Sequence, residues 1–251
     1  MTDILLHGCN GRMGQMIAGL LKDDKDARIV AGVDAYTGTP NPFPVFPKID
    51  DCDVKADVVI DFSNAGAVDA LLDYCTRTKT PVVLCTTGLS EEQLERVEET
   101  AREIAVLKSA NMSVGINLLL KLLKEAAPAL EAAGFDIEIV EKHHNQKLDA
   151  PSGTALALAD AINEASGDAY TYVYDRSQVR QKRDSREIGI SAVRGGTIVG
   201  DHDVIFAGTD EVITFEHRAY SRAVFGKGAV QAAKFLAGKP AGRYDMSDVI
   251  G

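Results

Sequence analysis

Between residues 3 and 111 the chain alternates two kinds of hydrophobic pattern. Runs that are apolar at almost every position, DILLHG (3–8), ARIVAGVDA (27–35), DVVIDFS (57–63), PVVLCTTG (81–88) and AVLKSAN (105–111), read as strands. Stretches with a helical apolar period, at 11–22, 64–78 and 90–104, stand among them. Strands apolar on both faces belong inside a covered sheet, so this alternation predicts a parallel sheet with crossover helices. The runs end in Gly, Ser, Thr, Asp or Asn, at the edge where open α/β sheets form their ligand crevice.

From about residue 112 the texture changes. One long apolar-periodic helix (114–133) is followed by a strand, DIEIVEKHH (136–144), and a helix that starts at Ser152. Three strand-like segments come next: EIGISAVRGG (187–196), DHDVIFAG (201–208) and EVITFEHRAYS (211–221). This predicts a second, α+β domain with a mainly antiparallel sheet. The segment AVFGKGAVQAAKFLAG (223–238) has helical period again and is expected to return to the first domain. TGTPNPFPVFPK (37–48), with four of the eight prolines, reads as a loop.

Composition narrows the function classes. A chain of 251 residues that is 45% hydrophobic can bury a proper core. Its net charge of -10 disfavours nucleic acid and anionic membrane surfaces as partners. The longest apolar stretch, VGINLLLKLL (114–123), is interrupted by Lys121 and falls short of the roughly 20 residues of a membrane span. Four scattered cysteines without a CxxC pair, and a start (MTDILLHGC) without a basic leader region, make a reduced cytoplasm the expected location.

LLHGCNGRMGQMIAGLL (5–21) sets Gly8, Gly11 and Gly14 between the first strand and the first helix. Glycines at this place allow a tight turn and close approach of backbone to a pyrophosphate, which then sits at a positive helix N-terminus. Three glycines also suit a plain strand-to-helix turn. Asp34, about 20 residues past the last glycine, tips the balance, because an acid there accepts hydrogen bonds from ribose hydroxyls. A dinucleotide is the expected cofactor, with CTTG (85–88) and SANMS (109–113) lining its nicotinamide half.

The stretch EKHHNQKLDAPSGTALALAD (141–160) carries the second concentration of chemistry. Adjacent His143 and His144 point to opposite sides of an extended chain, and His7, His202 and His217 are isolated in sequence, so no metal is expected. Pro151 ends the extended stretch, and Ser152, Gly153 and Thr154 open a helix whose N–H groups and hydroxyls suit a carboxylate or phosphate. An imidazole and the Lys147 ammonium beside such a cradle can supply protons to the anchored molecule.

GCNGRMG, VVIDFS, CTTG, ANMSVGIN, EKHHNQKLDAPSGTAL, AVRGGTIVGDHDVIFAG and YDMSDVI together resemble, in order and spacing, the 4-hydroxy-tetrahydrodipicolinate reductase (dihydrodipicolinate reductase) family of lysine and diaminopimelate biosynthesis. The resemblance spans essentially the whole chain, and HH-x-x-K-x-D-x-PSGTA is its most specific block. It implies a Rossmann-type dinucleotide-binding domain from 1–112 and 222–251, and a substrate-binding and oligomerisation domain over 113–221. It also implies NAD(P)H-dependent reduction of a cyclic imine dicarboxylate by a homotetramer. Carried onto this sequence, His143 resembles the proton donor and Lys147 a second acid. His144, Ser152, Gly153 and Thr154 resemble the substrate-carboxylate contacts. Gly8, Cys9, Asn10, Gly11, Arg12, Met13, Asp34, Cys85, Thr86, Thr87, Ala110, Asn111, Met112 and Ser113 resemble the cofactor site. Which of His143 and Lys147 delivers the proton stays open.

The chain departs from the commonest family pattern at Cys85, where glycine is frequent, at SNAG (63–66), and at Asn145 and Gln146, where basic residues are frequent. Family members that favour NADPH often carry arginine after the ribose acid. Here Ala35 follows Asp34, and Arg12 is the cation expected to reach a 2'-phosphate, so NADH is the expected preference over NADPH. A non-catalytic dinucleotide-sensing regulator on the same scaffold is the alternative, and the trio His143, His144 and Lys147 speaks against it. An aspartate- or homoserine-type dehydrogenase would share the first half and leave HHxxK before PSGT without a purpose.

Overall fold

The computed structural model describes residues 1–177 and 180–251. It divides into two compact units, Met1–Ser113 with Ala223–Gly251, and Val114–Arg222. In chain order the first unit begins β1 (Thr2–His7), α1 (Arg12–Leu21), β2 (Ala27–Val33), β3 (Val45–Phe46), β4 (Val58–Asp61), α2 (Val68–Thr78), β5 (Val82–Leu84), α3 (Glu91–Ala101) and β6 (Ala105–Leu107). The second unit holds α4 (Val114–Ala132), β7 (Asp136–His143), α5 (Gly153–Ala165), β8 (Thr171–Tyr174), β9 (Glu187–Arg194), β10 (Gly200–Ala207) and β11 (Val212–Ala219). The chain then completes the first unit with α6 (Ala223–Leu236), β12 (Gly242–Tyr244) and α7 (Met246–Ile250).

The first unit is a seven-stranded sheet in the order β12-β6-β5-β4-β1-β2-β3, with every pairing parallel. β4, β5 and β6 are buried throughout, and β1 from Ile4 onward, because both faces are covered. Leu5, Val59, Leu72, Val82 and Val97 share one core, while α6 packs on β1, β4, β5 and β6 with α1 beside it. α3 starts where Ser90 and Gln93 form a reciprocal capping box. Strand order reverses between β1 and β4, and such a switch point opens a crevice beyond the carboxyl ends of the two strands.

The second unit is a five-stranded sheet, β11-β10-β7-β9-β8. It is mixed rather than mainly antiparallel: β10 pairs antiparallel with β11 and β7, whereas β7–β9 and β8–β9 are parallel. The parallel half arises because α5 and the segment after it carry the chain from the end of β7 back to the start of β8. Strand composition alone does not encode that return. β7 alternates half-buried and buried positions, with Ile137, Ile139, Glu141 and His143 inward. Ile137 and Ile139 join Leu123 of α4, Leu158 and Ile162 of α5 and Phe206 of β10 in the core. The sequence pattern missed three short strands, β3, β8 and β12. Two of them have only two or three residues, and β3 lies in the proline-rich stretch read as a loop.

Candidate active site

At the switch point, β1 runs into the glycine turn. Gly8 has φ +79°, and a Cβ there would lie 2.6 Å from the Phe62 carbonyl oxygen at the end of β4. A Cβ on Gly14 would lie 2.2 Å from the Gly8 carbonyl oxygen, so α1 can approach the turn only without a side chain. Asp34, just past β2, fixes the turn from the other side. Its Oδ2 accepts from the Asn10 N–H at 3.0 Å and its Oδ1 from the Tyr36 N–H at 3.0 Å. Gly8, Val33, Asp34 and Ala35 line a cavity of about 300 Å³ whose far wall includes Ile49 and Ala67.

A buried carboxylate ties this crevice together. Asp61, fully buried at the end of β4, accepts from the Thr86 hydroxyl at 2.6 Å and the Ser63 hydroxyl at 2.6 Å, and lies 2.8 Å from His7 Nδ1. Burial works against its charge, but His7, Ser63 and Thr86 outweigh it and hold the carboxyl below the ordinary aspartate range. The ends of β1, β4 and β5 therefore converge on one anion.

A second cluster is built on the buried face of β7. Glu141 and His143 lie two residues apart and point inward together. His143 Nδ1 lies 2.6 Å from Glu141 Oε2, and this fully buried carboxylate also accepts two Arg194 bonds of 2.7 Å and the Ser152 N–H at 3.0 Å. Desolvation raises the Glu141 pKa, while Arg194, His143 and Ser152 lower it by more, and the net direction is down. With Nδ1–H directed at Glu141, Nε2 is the ring nitrogen left for an incoming molecule.

Sheet register supplies the remaining neighbours. β10 places His202 opposite Glu141, and the His202 and His143 rings meet edge to face with centroids 5.2 Å apart. β9 places Arg194 beside His143, and Arg194 also donates to the Asp149 carbonyl at 2.7 Å, which pins the loop ahead of α5. Burial pushes the His202 imidazole down to about 4, with the His143 charge adding to the effect. Burial also lowers His143, Glu141 pulls it back up, and Lys147 and Arg194 push it down. Lys147 pairs with Asp149 at 2.8 Å.

The chain matches the model of the dihydrodipicolinate reductase N-terminus over residues 2–112 and of the C-terminus over 115–250. The 4-hydroxy-tetrahydrodipicolinate reductase of Caldanaerobacter subterraneus subsp. tengcongensis is 55% identical over 250 residues, covering 100% of this chain and 98% of that protein. The enzyme of the same name from Clostridium tetani is 52% identical, covering 98% of this chain and 96% of that protein. The chain belongs to the dihydrodipicolinate reductase family. Among solved structures, the dipicolinate-bound dihydrodipicolinate reductase of Paenisporosarcina sp. TG-14 superposes with a TM-score of 0.81 at 25% identity, covering 98% of this chain and 97% of that one.

As a dihydrodipicolinate reductase, the protein is an oxidoreductase that uses a nicotinamide cofactor to reduce 4-hydroxy-tetrahydrodipicolinate. The matches carry no support for the non-catalytic regulator. The crevice at β1 and β4 fits such a cofactor: its glycine cradle closes if a Cβ is added, and its acid stands at the wall of a nucleoside-sized cavity.

The residues singled out from sequence fall into groups. Gly8, Cys9, Asn10, Gly11, Arg12, Met13 and Asp34 converge on the glycine turn. Thr86 is buried with its hydroxyl committed to Asp61, so it organises the CTTG turn rather than presenting that hydroxyl outward. Cys85 is half-buried, Thr87 and Ala110 are exposed, Asn111 is half-buried, and Met112 and Ser113 are buried. Ser152, only 2% exposed, uses its hydroxyl on the Ala155 N–H at 3.1 Å and on His202 Nε2 at 3.1 Å. Its N–H and side chain are both engaged within the protein, and the α5 N-terminus presented outward begins at Gly153. His144 is half-buried. Sequence reasoning missed Glu141, Arg194, His202 and Asp61. Among the described residues no cluster of His, Cys, Asp or Glu suits a metal ion.

Proposed function

We propose that the β7 cluster and the β1–β4 crevice divide one reaction between them. The opening turn of α5 at Gly153 and Thr154, with His144, holds a carboxylate of the cyclic imine dicarboxylate. His143 supplies a proton through Nε2, and Lys147 is the second cation and acid beside it. The crevice orients the nicotinamide cofactor, which when bound supplies the hydride. One hydride and one proton are added and one water is lost, giving tetrahydrodipicolinate. Hydride addition drives electrons toward the ring nitrogen and the adjacent carbon, where a cation and a positioned acid lower the barrier.

The observation that carries this reading is the 2.6 Å contact from His143 Nδ1 to the buried Glu141 carboxylate, because it fixes which nitrogen faces outward. Burial lowers the His143 pKa in the free protein, against the pull of Glu141. A dianionic substrate brings the negative charge that raises the imidazole pKa, so the acid is charged when the substrate arrives.

For the cofactor, Asp34 suits the two ribose hydroxyls of NADH and repels a 2'-phosphate, so NADH is preferred and NADPH accepted. Steady-state kinetics with freshly made 4-hydroxy-tetrahydrodipicolinate and both cofactors at matched ionic strength tests this. The expected result is a higher kcat/KM with NADH, and a clear NADPH preference overturns it. The working form is proposed to be a homotetramer joined through the second unit. The reading places it in the cytoplasm, where its four free thiols stay reduced. Among the described residues no helix is long and apolar enough to cross a membrane.

A further inference from the structure

The cofactor crevice has a cation that residue order conceals. After Asp34 the chain runs through the proline-rich loop and then returns to the sheet. β3 pairs in parallel with β2, the Gly32 N–H donates to the Pro44 carbonyl at 2.9 Å, and the Asp34 N–H donates to the Phe46 carbonyl at 3.0 Å. This return sets Lys48 in the wall of the same cavity as Gly8 and Asp34.

Four features of its surroundings give Lys48 a purpose there. Its backbone is anchored, because Ile49 beside it is buried in the core with Leu5 and Val33. Its side chain is exposed and makes no ion pair among the described residues. The other acid on this wall, Asp50, is already bound by Arg77 at 2.7 Å. Asp34 is likewise locked in place by the Asn10 and Tyr36 N–H groups. The cavity thus carries a fixed carboxylate and an exposed point charge of opposite sign, the pairing that can admit a phosphate beside an acid.

We propose that Lys48 is the specificity-determining cation of the adenosine end of the cofactor: it faces a 2'-phosphate, offsets Asp34, and sets how much NADPH the enzyme uses. The proposal rests on the cofactor reading above and goes beyond it, since Arg12 is there the one cation expected to reach the phosphate. An exposed lysine at the rim can change without disturbing the core, so its variants are expected to fold.

Isothermal titration of NADH and NADPH into the wild type, K48A and K48E measures the effect without turnover, with kcat/KM for each cofactor as the companion readout. In K48A the ratio of NADPH to NADH affinity is expected to fall about tenfold, as for the loss of one charge-assisted contact. K48E should lower it further, and the wild-type ratio should decline more steeply with salt than that of K48A. A ratio within about twofold of wild type in both variants overturns the role of Lys48. Failure of the wild type to bind either cofactor instead overturns the crevice assignment, and the proposal with it.

Discussion

The imidazole of His143 is held between opposing influences that come from particular residues. Burial, Lys147 and Arg194 push its proton off, and Glu141 keeps it on. Replacing Glu141 by Gln removes the influence that favours the charged form, so the His143 pKa falls further. A general acid works only while protonated. The descending alkaline limb of kcat in Glu141→Gln should therefore move to lower pH, and kcat at neutral pH should drop about tenfold or more. A pH profile of kcat for the two proteins checks this, and an unmoved limb contradicts it. The same substitution takes the charge partner from the partly exposed Arg194, which is expected to cost about 1–3 kcal/mol of stability. Glu141 was within reach of sequence reasoning, since strand alternation puts it on the same face as His143. A glutamate in an alternating strand otherwise reads as a solvated position. Arg194 and His202 were not legible, because only the register of β9 and β10 brings them to β7.

At the scale of the element, the start of α5 serves folding and binding through different residues. Pro-Ser-Gly marked this helix start in the sequence, and the helix begins there. What the sequence could not show is that Ser152 turns inward, capping Ala155 and meeting His202, so that the outward face begins at Gly153. Ser152→Ala should therefore lower stability by about 1 kcal/mol for the lost cap, a fall in Tm of roughly 2–4 °C. Thr154→Ala should chiefly raise substrate KM with little change in Tm. Thermal melts beside steady-state kinetics separate the two, and the reverse assignment of effects would refute this division. β3 shows the opposite failure of sequence reading: prolines at 40, 42, 44 and 47 signal a loop, yet the Val45–Phe46 pairing places Lys48 at the cofactor crevice.

For the whole molecule, two changes in hydrophobic texture marked where the chain leaves the parallel sheet and where it returns. The continuously apolar strands of the first unit were legible because both of their faces are covered. The second sheet was less so, because α4 and α5 pack on one of its faces, while the alternate positions of β7 and β10 are only half-buried. β11 is an edge strand with Val212 and Ile213 exposed, and Val193 is exposed on β9. An open edge and apolar positions of this kind are better covered by another copy of the chain. Light scattering at micromolar concentration should give about four times the 26.9 kDa of one chain, and the mass of a single chain would rule the tetramer out. The central claim is that His143, aimed by Glu141, delivers the proton that accompanies the hydride. The most direct test is kcat of His143→Ala with freshly prepared 4-hydroxy-tetrahydrodipicolinate at saturating NADH. A loss of about 10² or more relative to the wild type is expected, whereas turnover near the wild-type rate would contradict the role of His143.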